Sequence, residues 1–280
     1  MFTVPTELAL LAIGLAAGVL GGMLGIGGGL VMIPAMAILL GDRFGPNSFH
    51  LYKLAAIGTS VVLSIPAVIR HHRAGATVWR IVWATLPLAL VGAILGVAAA
   101  GLLSGDLTGA LKRAFGAFLV AVVAFNVYRG VQTNAGGAEL RDRCPLPARR
   151  RVFGLVVGFP AGLIAGLLGI AGGVWAVPAQ RLLLGVRLRN AIANSSGLIV
   201  GVAALTALSQ SIAVVRIPPA GTCGALNAAD GWLLAAWLAP GALLGGWLGA
   251  TLTHLLPLTW VRHAFHVLLA ITGLRLLIYA

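Results

Sequence analysis

Residues 17–35 read AGVLGGMLGIGGGLVMIPA, and residues 161–179 read AGLIAGLLGIAGGVWAVPA. Laid over one another at a shift of 144 residues, they superpose Gly18 on Gly162, Gly22 on Gly166, Gly25 on Gly169, Ile26 on Ile170, Gly28 on Gly172, Gly29 on Gly173 and Pro34 on Pro178. Each lies inside a long apolar block, from about Glu7 to Leu40 and from about Val152 to Leu184. A straight helix over the first block would be about 51 Å long at 1.5 Å per residue, against a hydrocarbon core of roughly 30 Å, so one span does not fit. Two full spans need about 40 apolar residues, so the block is expected to be a broken span or a hairpin that enters and returns. Glycine is a poor helix former and allows close backbone approach, which places the break at Gly25–Gly29 and at Gly169–Gly173. Small-residue helix packing explains Gly18-x-x-x-Gly22 and Gly162-x-x-x-Gly166, but not a glycine run followed by a proline in both blocks.

Outward from these blocks the whole chain is apolar: 60% of its 280 residues are hydrophobic, 9% are charged, and the mean hydropathy is +1.02. A soluble core cannot absorb that composition, so the solvent is lipid. Further apolar blocks run over roughly 54–69, 81–103, 114–128, 191–208, 232–252 and 264–280. No Lys or Arg precedes the first block, which is expected to be a span and not a cleaved signal. The formal charge of +13 comes from basic residues between apolar blocks, the pattern of positive-inside topology and not of a nucleic-acid surface. Cys144 and Cys223 have neither CxxC nor metal-ligand spacing, so no metal or redox site is expected. No HExxH, GxSxG or clustered carboxylate set appears beside the spans; neither an enzyme nor a cofactor is expected.

The duplication continues downstream. Lys53-Leu54-Ala55-Ala56-Ile57-Gly58-Thr59-Ser60 meets Arg189-Asn190-Ala191-Ile192-Ala193-Asn194-Ser195-Ser196, and Gly92-Ala93-Ile94-Leu95-Gly96 meets Gly241-Ala242-Leu243-Leu244-Gly245. The expected fold is all-α and polytopic. Its two similar halves, 1–131 and 152–280, each carry a glycine-broken or re-entrant segment followed by about three transmembrane helices. A basic cytoplasmic linker, 132–151, joins them.

With the N-terminus outside and the halves inverted, thirteen Lys/Arg fall in the cytoplasm and six outside; a parallel repeat gives eleven against eight. Inversion is the better reading of these counts. All six acids, Glu7, Asp42, Asp106, Glu139, Asp142 and Asp230, fall at block ends or in loops, which disfavours strong cation coupling.

The paired G-x-x-G-I-[GA]-G-G-x-x-x-x-P segments, the Gly-Thr-Ser at 58–60 and the two-half layout resemble the TauE/SafE sulfite exporter family, also called the toluenesulfonate uptake permeases. The resemblance spans nearly the whole chain. It implies a multi-pass protein of the bacterial inner membrane that moves, in the exporting direction, a sulfur-containing anion such as sulfite, sulfoacetate or a sulfonate. The second half departs from the pattern with Asn194-Ser195-Ser196. An anion channel is the alternative, and an integral-membrane enzyme or assembly factor a more distant one.

A substrate anion leaving water needs replacement donors. Half-helix amides at Gly27, Gly28, Gly29, Ala171, Gly172 and Gly173, with Thr59, Ser60, Asn194, Ser195 and Ser196, supply them without a buried fixed charge. Ser or Thr bonding to its own helix carbonyls is the bland reading of those side chains. Lys53 and Arg189, six residues before the hydroxyls, read either as vestibule cations that attract anions or as interfacial side chains snorkelling to water. The expected partners are a small anion and the bilayer, with no nucleic acid.

Overall fold

A computed structural model describes residues 4–41, 44, 48–102, 150–215 and 227–255, with isolated positions between 109 and 124 and between 270 and 278. Residues 132–149 of the linker, both cysteines and most of the blocks at 114–128 and 264–280 lie outside the described residues. Everything regular among the described residues is helical, in the order α1 (Val4–Leu24), α2 (Gly29–Leu40), α3 (Ser48–Arg73), α4 (Trp79–Leu102), α5 (Phe159–Leu168), α6 (Gly173–Leu184), α7 (Leu188–Val215) and α8 (Ala228–Leu255). Helix α5 is preceded without interruption by Arg150–Phe153 and a π-helical turn, Gly154–Gly158. Five helices, α1, α3, α4, α7 and α8, are long and apolar enough to cross a membrane.

Contacts fix the directions in which these helices run. Positions where a Cβ would strike the neighbouring backbone advance together along α1 and α8, from Gly14 at Leu238 through Gly18 at Ala242 to Gly22 at Gly246, so the two are parallel. Helices α4 and α5 repeat the arrangement with Gly158 at Thr85, Gly162 at Ala89 and Gly166 at Ala93. These seams are small-xxx-small packing: without side chains between them, the backbones approach closely and gain dispersion contact that lipid cannot match. Helix α3 runs parallel to α8, with Leu54 near Gly231, Thr59 near Ala235 and His71 near His254. Helix α4 runs parallel to α7, with Val78 at Asn194, Val82 near Gly197 and Leu86 near Gly201.

Helices α3 and α7 cross the other way. Leu51 and Leu54, early in α3, share a cluster with Val214 late in α7, whereas Ile57 and Val61 pack with Ile199, Ala203 and Ala207. Two sets of parallel helices result, α1, α3 and α8 against α4, α5 and α7, pointing in opposite directions. Each set draws on both ends of the sequence.

Each long apolar block is a hairpin. Helix α1 brings its last turn level with the end of α3, where the Gly22 carbonyl meets His71. The chain then reverses, and α2 descends from Gly28, beside Ser60, to Gly41, whose carbonyl accepts from the Tyr52 hydroxyl at 2.6 Å. Helix α6 likewise begins at Gly173 beside Ser195 and carries Gln180 to Asn194. Of the two forms the block length allowed, the returning hairpin is the one adopted.

Candidate functional site

The breaks are made by left-handed glycines. Gly25 and Gly27 take φ of +64° and +76°, and Gly169 and Gly172 take +73° and +70°. The second segment has Ala171 where the first has Gly27, and its second left-handed residue moves one position on, to Gly172. A side chain resists that region, so in each segment the left-handed residues are glycines.

The reversals interlock. A Cβ added to Gly29 would stand 2.7 Å from the Gly169 carbonyl oxygen and 3.0 Å from the Ile170 Cα. One added to Gly173 would stand 2.6 Å from the Ile26 Cα and 2.9 Å from the Ser195 Oγ. One added to Gly27 would meet the Ala171 methyl at 2.5 Å and the Ser60 Oγ at 3.6 Å. The two glycine segments therefore abut in the buried centre, and α2 and α6 both start there. The first N–H groups of a helix have no carbonyl behind them, so two half-helix N-termini turn donors and positive dipole ends toward one region.

The predicted polar residues are all buried, but only two of the five side chains converge. Ser60 donates to the Ala56 carbonyl at 2.8 Å and accepts from the Gly28 N–H at 3.3 Å, which puts its oxygen at the first break. Ser195 donates across the interface to the Gly25 carbonyl at 2.6 Å. Ser60, Ser195, Gly27, Gly28, Gly29, Ala171 and Gly173 thus belong to one locus, and Gly172 supplies its turn. The other three lie apart. Thr59 bonds the Ala55 carbonyl at 2.8 Å and faces Ala235 of α8. Ser196 bonds the Ile192 carbonyl of its own helix at 3.0 Å. Asn194 accepts from the Val78 N–H at 2.6 Å and donates to Gln180 at 3.0 Å, tying α7 to the start of α4 and to α6.

The paired cations also separate. Arg189 is exposed, but Lys53 is fully buried, with its ammonium 3.2 Å from the Leu167 carbonyl near the end of α5. Neither vestibule placement nor snorkelling describes Lys53. Gly169 has no side chain, and a Cβ there would stand 2.7 Å from the Lys53 Cβ, so α3 closes over the cation instead of leaving it in water.

A polar cluster not anticipated from sequence joins the other ends of α3 and α8. The His71 Nε2–H donates to the Gly22 carbonyl at 3.3 Å, which leaves its Nδ1 to accept from the His254 Nε2–H at 3.1 Å. Beside it Arg70 donates to Thr251 at 3.2 Å, and Arg73 lies over the Trp247 ring. Neither histidine signals the other in sequence, because they lie 183 residues apart.

The family described as Sulfite exporter TauE/SafE matches residues 10–276. The probable membrane transporter protein MamO of Magnetospirillum gryphiswaldense is 29% identical over 301 residues, covering 99% of this chain and 45% of MamO. The chain thus spans under half the length of that relative, and the same holds for MamO of Paramagnetospirillum magneticum. A probable membrane transporter protein of Haemophilus influenzae is 29% identical over 70% of each chain, and YunE of Bacillus subtilis, also a probable membrane transporter protein, is 24% identical over 96% of each. No solved structure matches. Long apolar helices, paired glycine reversals and a match over nearly the full length agree, and the chain is a multi-pass inner-membrane protein that belongs to the TauE/SafE sulfite exporter family.

Proposed function

We propose that the chain is a transporter that exports a small sulfur-containing anion such as sulfite, sulfoacetate or a sulfonate, and that the anion binds where the two glycine reversals meet. The observation that carries this reading is the abutment of Gly25–Gly29 with Gly169–Gly173 beside Ser60 and Ser195. Irregular backbone at membrane depth persists only where protein or a hydrated path satisfies it, and paired helix starts offer N–H donors to an anion without a fixed charge.

Opposed directions of α3 and α7, and of the sets they belong to, support an inverted repeat with halves 1–131 and 152–280. Arg70, Arg73, Arg80, Arg187 and Arg189 gather at the face where α3 ends and where α4 and α7 begin. We assign that face, with the linker 132–151, to the cytoplasm.

Purified chain in proteoliposomes, offered sulfite, sulfate, thiosulfate, sulfoacetate, taurine and short carboxylates, should show saturable flux and counterflow for at least one sulfur anion. Flux without saturation or counterflow would indicate a channel. No flux for any of them would remove the anion reading.

A further inference from the structure

We infer that Lys53 and His50 form a buried ligand pair for the negatively charged oxygens of the transported anion, next to the central reversals. This deepens the anion-transport reading and rests on it.

The two residues lie three apart on α3, a spacing that puts side chains on the same helix face. Lys53 is fully buried, and the bond to the Leu167 carbonyl uses one of its three donors. Among the described residues it has no counter-charge. The described acids are Glu7 and Asp230, in the first turns of α1 and α8, and no ion pair joins either to Lys53. His50 is 1% exposed, and its Nε2 is buried with no hydrogen-bond partner. A buried cation and a buried idle ring nitrogen, one turn apart, are each costly alone. A bound oxyanion relieves both: its charge faces the ammonium, and one oxygen accepts from the Nε2–H of the imidazole.

Position connects the pair to the central site. Lys53 packs on Gly169, and the Gly169 carbonyl faces Gly29 at the start of α2. An anion moving off the helix-start donors toward the beginning of α3 therefore meets Lys53 next. Neutral donors at the reversals hold an anion loosely, and the one buried fixed charge beside them sets the sign of what binds.

A purely structural role would make Lys53 a cap for the end of α5, where a cation satisfies terminal carbonyls. Four proteins separate the roles: the full-length wild type, Lys53→Met, Lys53→Arg and His50→Leu, the last leaving the bond to Leu167 in place. Each is purified in detergent, and its thermal unfolding is followed against rising sulfite, thiosulfate and sulfoacetate, with sodium chloride at matched ionic strength. The wild type should be stabilised by at least one of these anions. The half-saturating concentration should rise about tenfold or more in Lys53→Met and in His50→Leu, and stay within about threefold in Lys53→Arg.

Stabilisation equal to wild type in His50→Leu, or in a folded Lys53→Met, overturns the pair. So does a wild type that none of the three anions stabilises. If Lys53→Met does not fold, His50→Leu alone decides. Anion stabilisation that depends on both residues, in a protein that shows no flux in proteoliposomes, would leave the ligand pair standing and remove the transport reading. Flux that persists unchanged in both variants would do the reverse.

Discussion

Ser195 and Ser196 are neighbours in sequence, both buried and both hydroxyl donors, yet replacing them by alanine should have different consequences. Ser195 gives its proton to the Gly25 carbonyl, 170 residues away, at 2.6 Å. That carbonyl sits in the reversal, beside the start of α6, where the Gly173 backbone is packed against it. Ser195→Ala removes a bond that joins the two reversals and leaves a buried acceptor short of a partner. Hydrogen bonds between transmembrane helices contribute about 0.6 kcal/mol on average and up to roughly 1.7, and an unpaired buried acceptor costs about 1–3. A loss of about 1–2 kcal/mol follows. Ser196 bonds the Ile192 carbonyl one turn back, an acceptor that also belongs to the helix ladder, so Ser196→Ala should cost under about 0.5 kcal/mol. Thermal unfolding in detergent, followed by tryptophan fluorescence, compares the two, with proteoliposome flux on the same preparations. Ser195→Ala should melt earlier and transport less, and Ser196→Ala should match wild type in both. Equal melting temperatures for the two variants would refute the cross-interface role of Ser195.

Ser60→Ala should weaken the anion about tenfold in flux assays and also lower stability to melting without anion by about 1–3 kcal/mol, since the buried Gly28 N–H loses its partner. Gly162→Ala should cost about 1–3 kcal/mol of stability, because its Cβ would stand 2.7 Å from the Ala89 carbonyl carbon and neither backbone can yield freely. Gly185→Ala, at φ +63° and ψ 22° with nothing within 4 Å, should cost only the roughly 1–2 kcal/mol of its left-handed backbone, whereas Gly162→Ala melting like the wild type would count against the seam. A cysteine at Ala138 should resist membrane-impermeant maleimide added from the periplasm; rapid labelling would place the linker outside.

The glycine runs announced the reversals because the argument needed only local facts: a block too long for one span, and residues without side chains inside it. Seams along α1 and α5 were equally legible, since Gly18 and Gly22, or Gly162 and Gly166, repeat one turn apart. Partners were not, because small-xxx-small spacing says that a helix packs closely without saying against which.

The hydroxyl sites were legible only in part. Asn194, Ser195 and Ser196 enter the site through a hydroxyl pair that recurs in both halves, yet successive helical residues point about 100° apart, so a single locus collects one of the three. Thr59 and Ser60 divide the same way. Lys53 reads from sequence as either a vestibule cation or an interfacial one, and what buries it is the bare backbone of Gly169, far off in sequence.

Helices α1 and α8 share a seam whose two edges are synthesised far apart. Gly14, Gly18 and Gly22 enter the bilayer first, and Gly241, Gly245 and Gly249 follow more than two hundred residues later. At roughly 5–20 residues per second, the first edge waits about 10–40 s for its mate. During that interval a groove of exposed backbone faces lipid or whatever other helix is nearby. Helix α5 has no such wait, because α4 is already in place when it is made. The early stretch of the chain is therefore the one whose assembly depends on its surroundings, and mispairing during insertion should concentrate on α1.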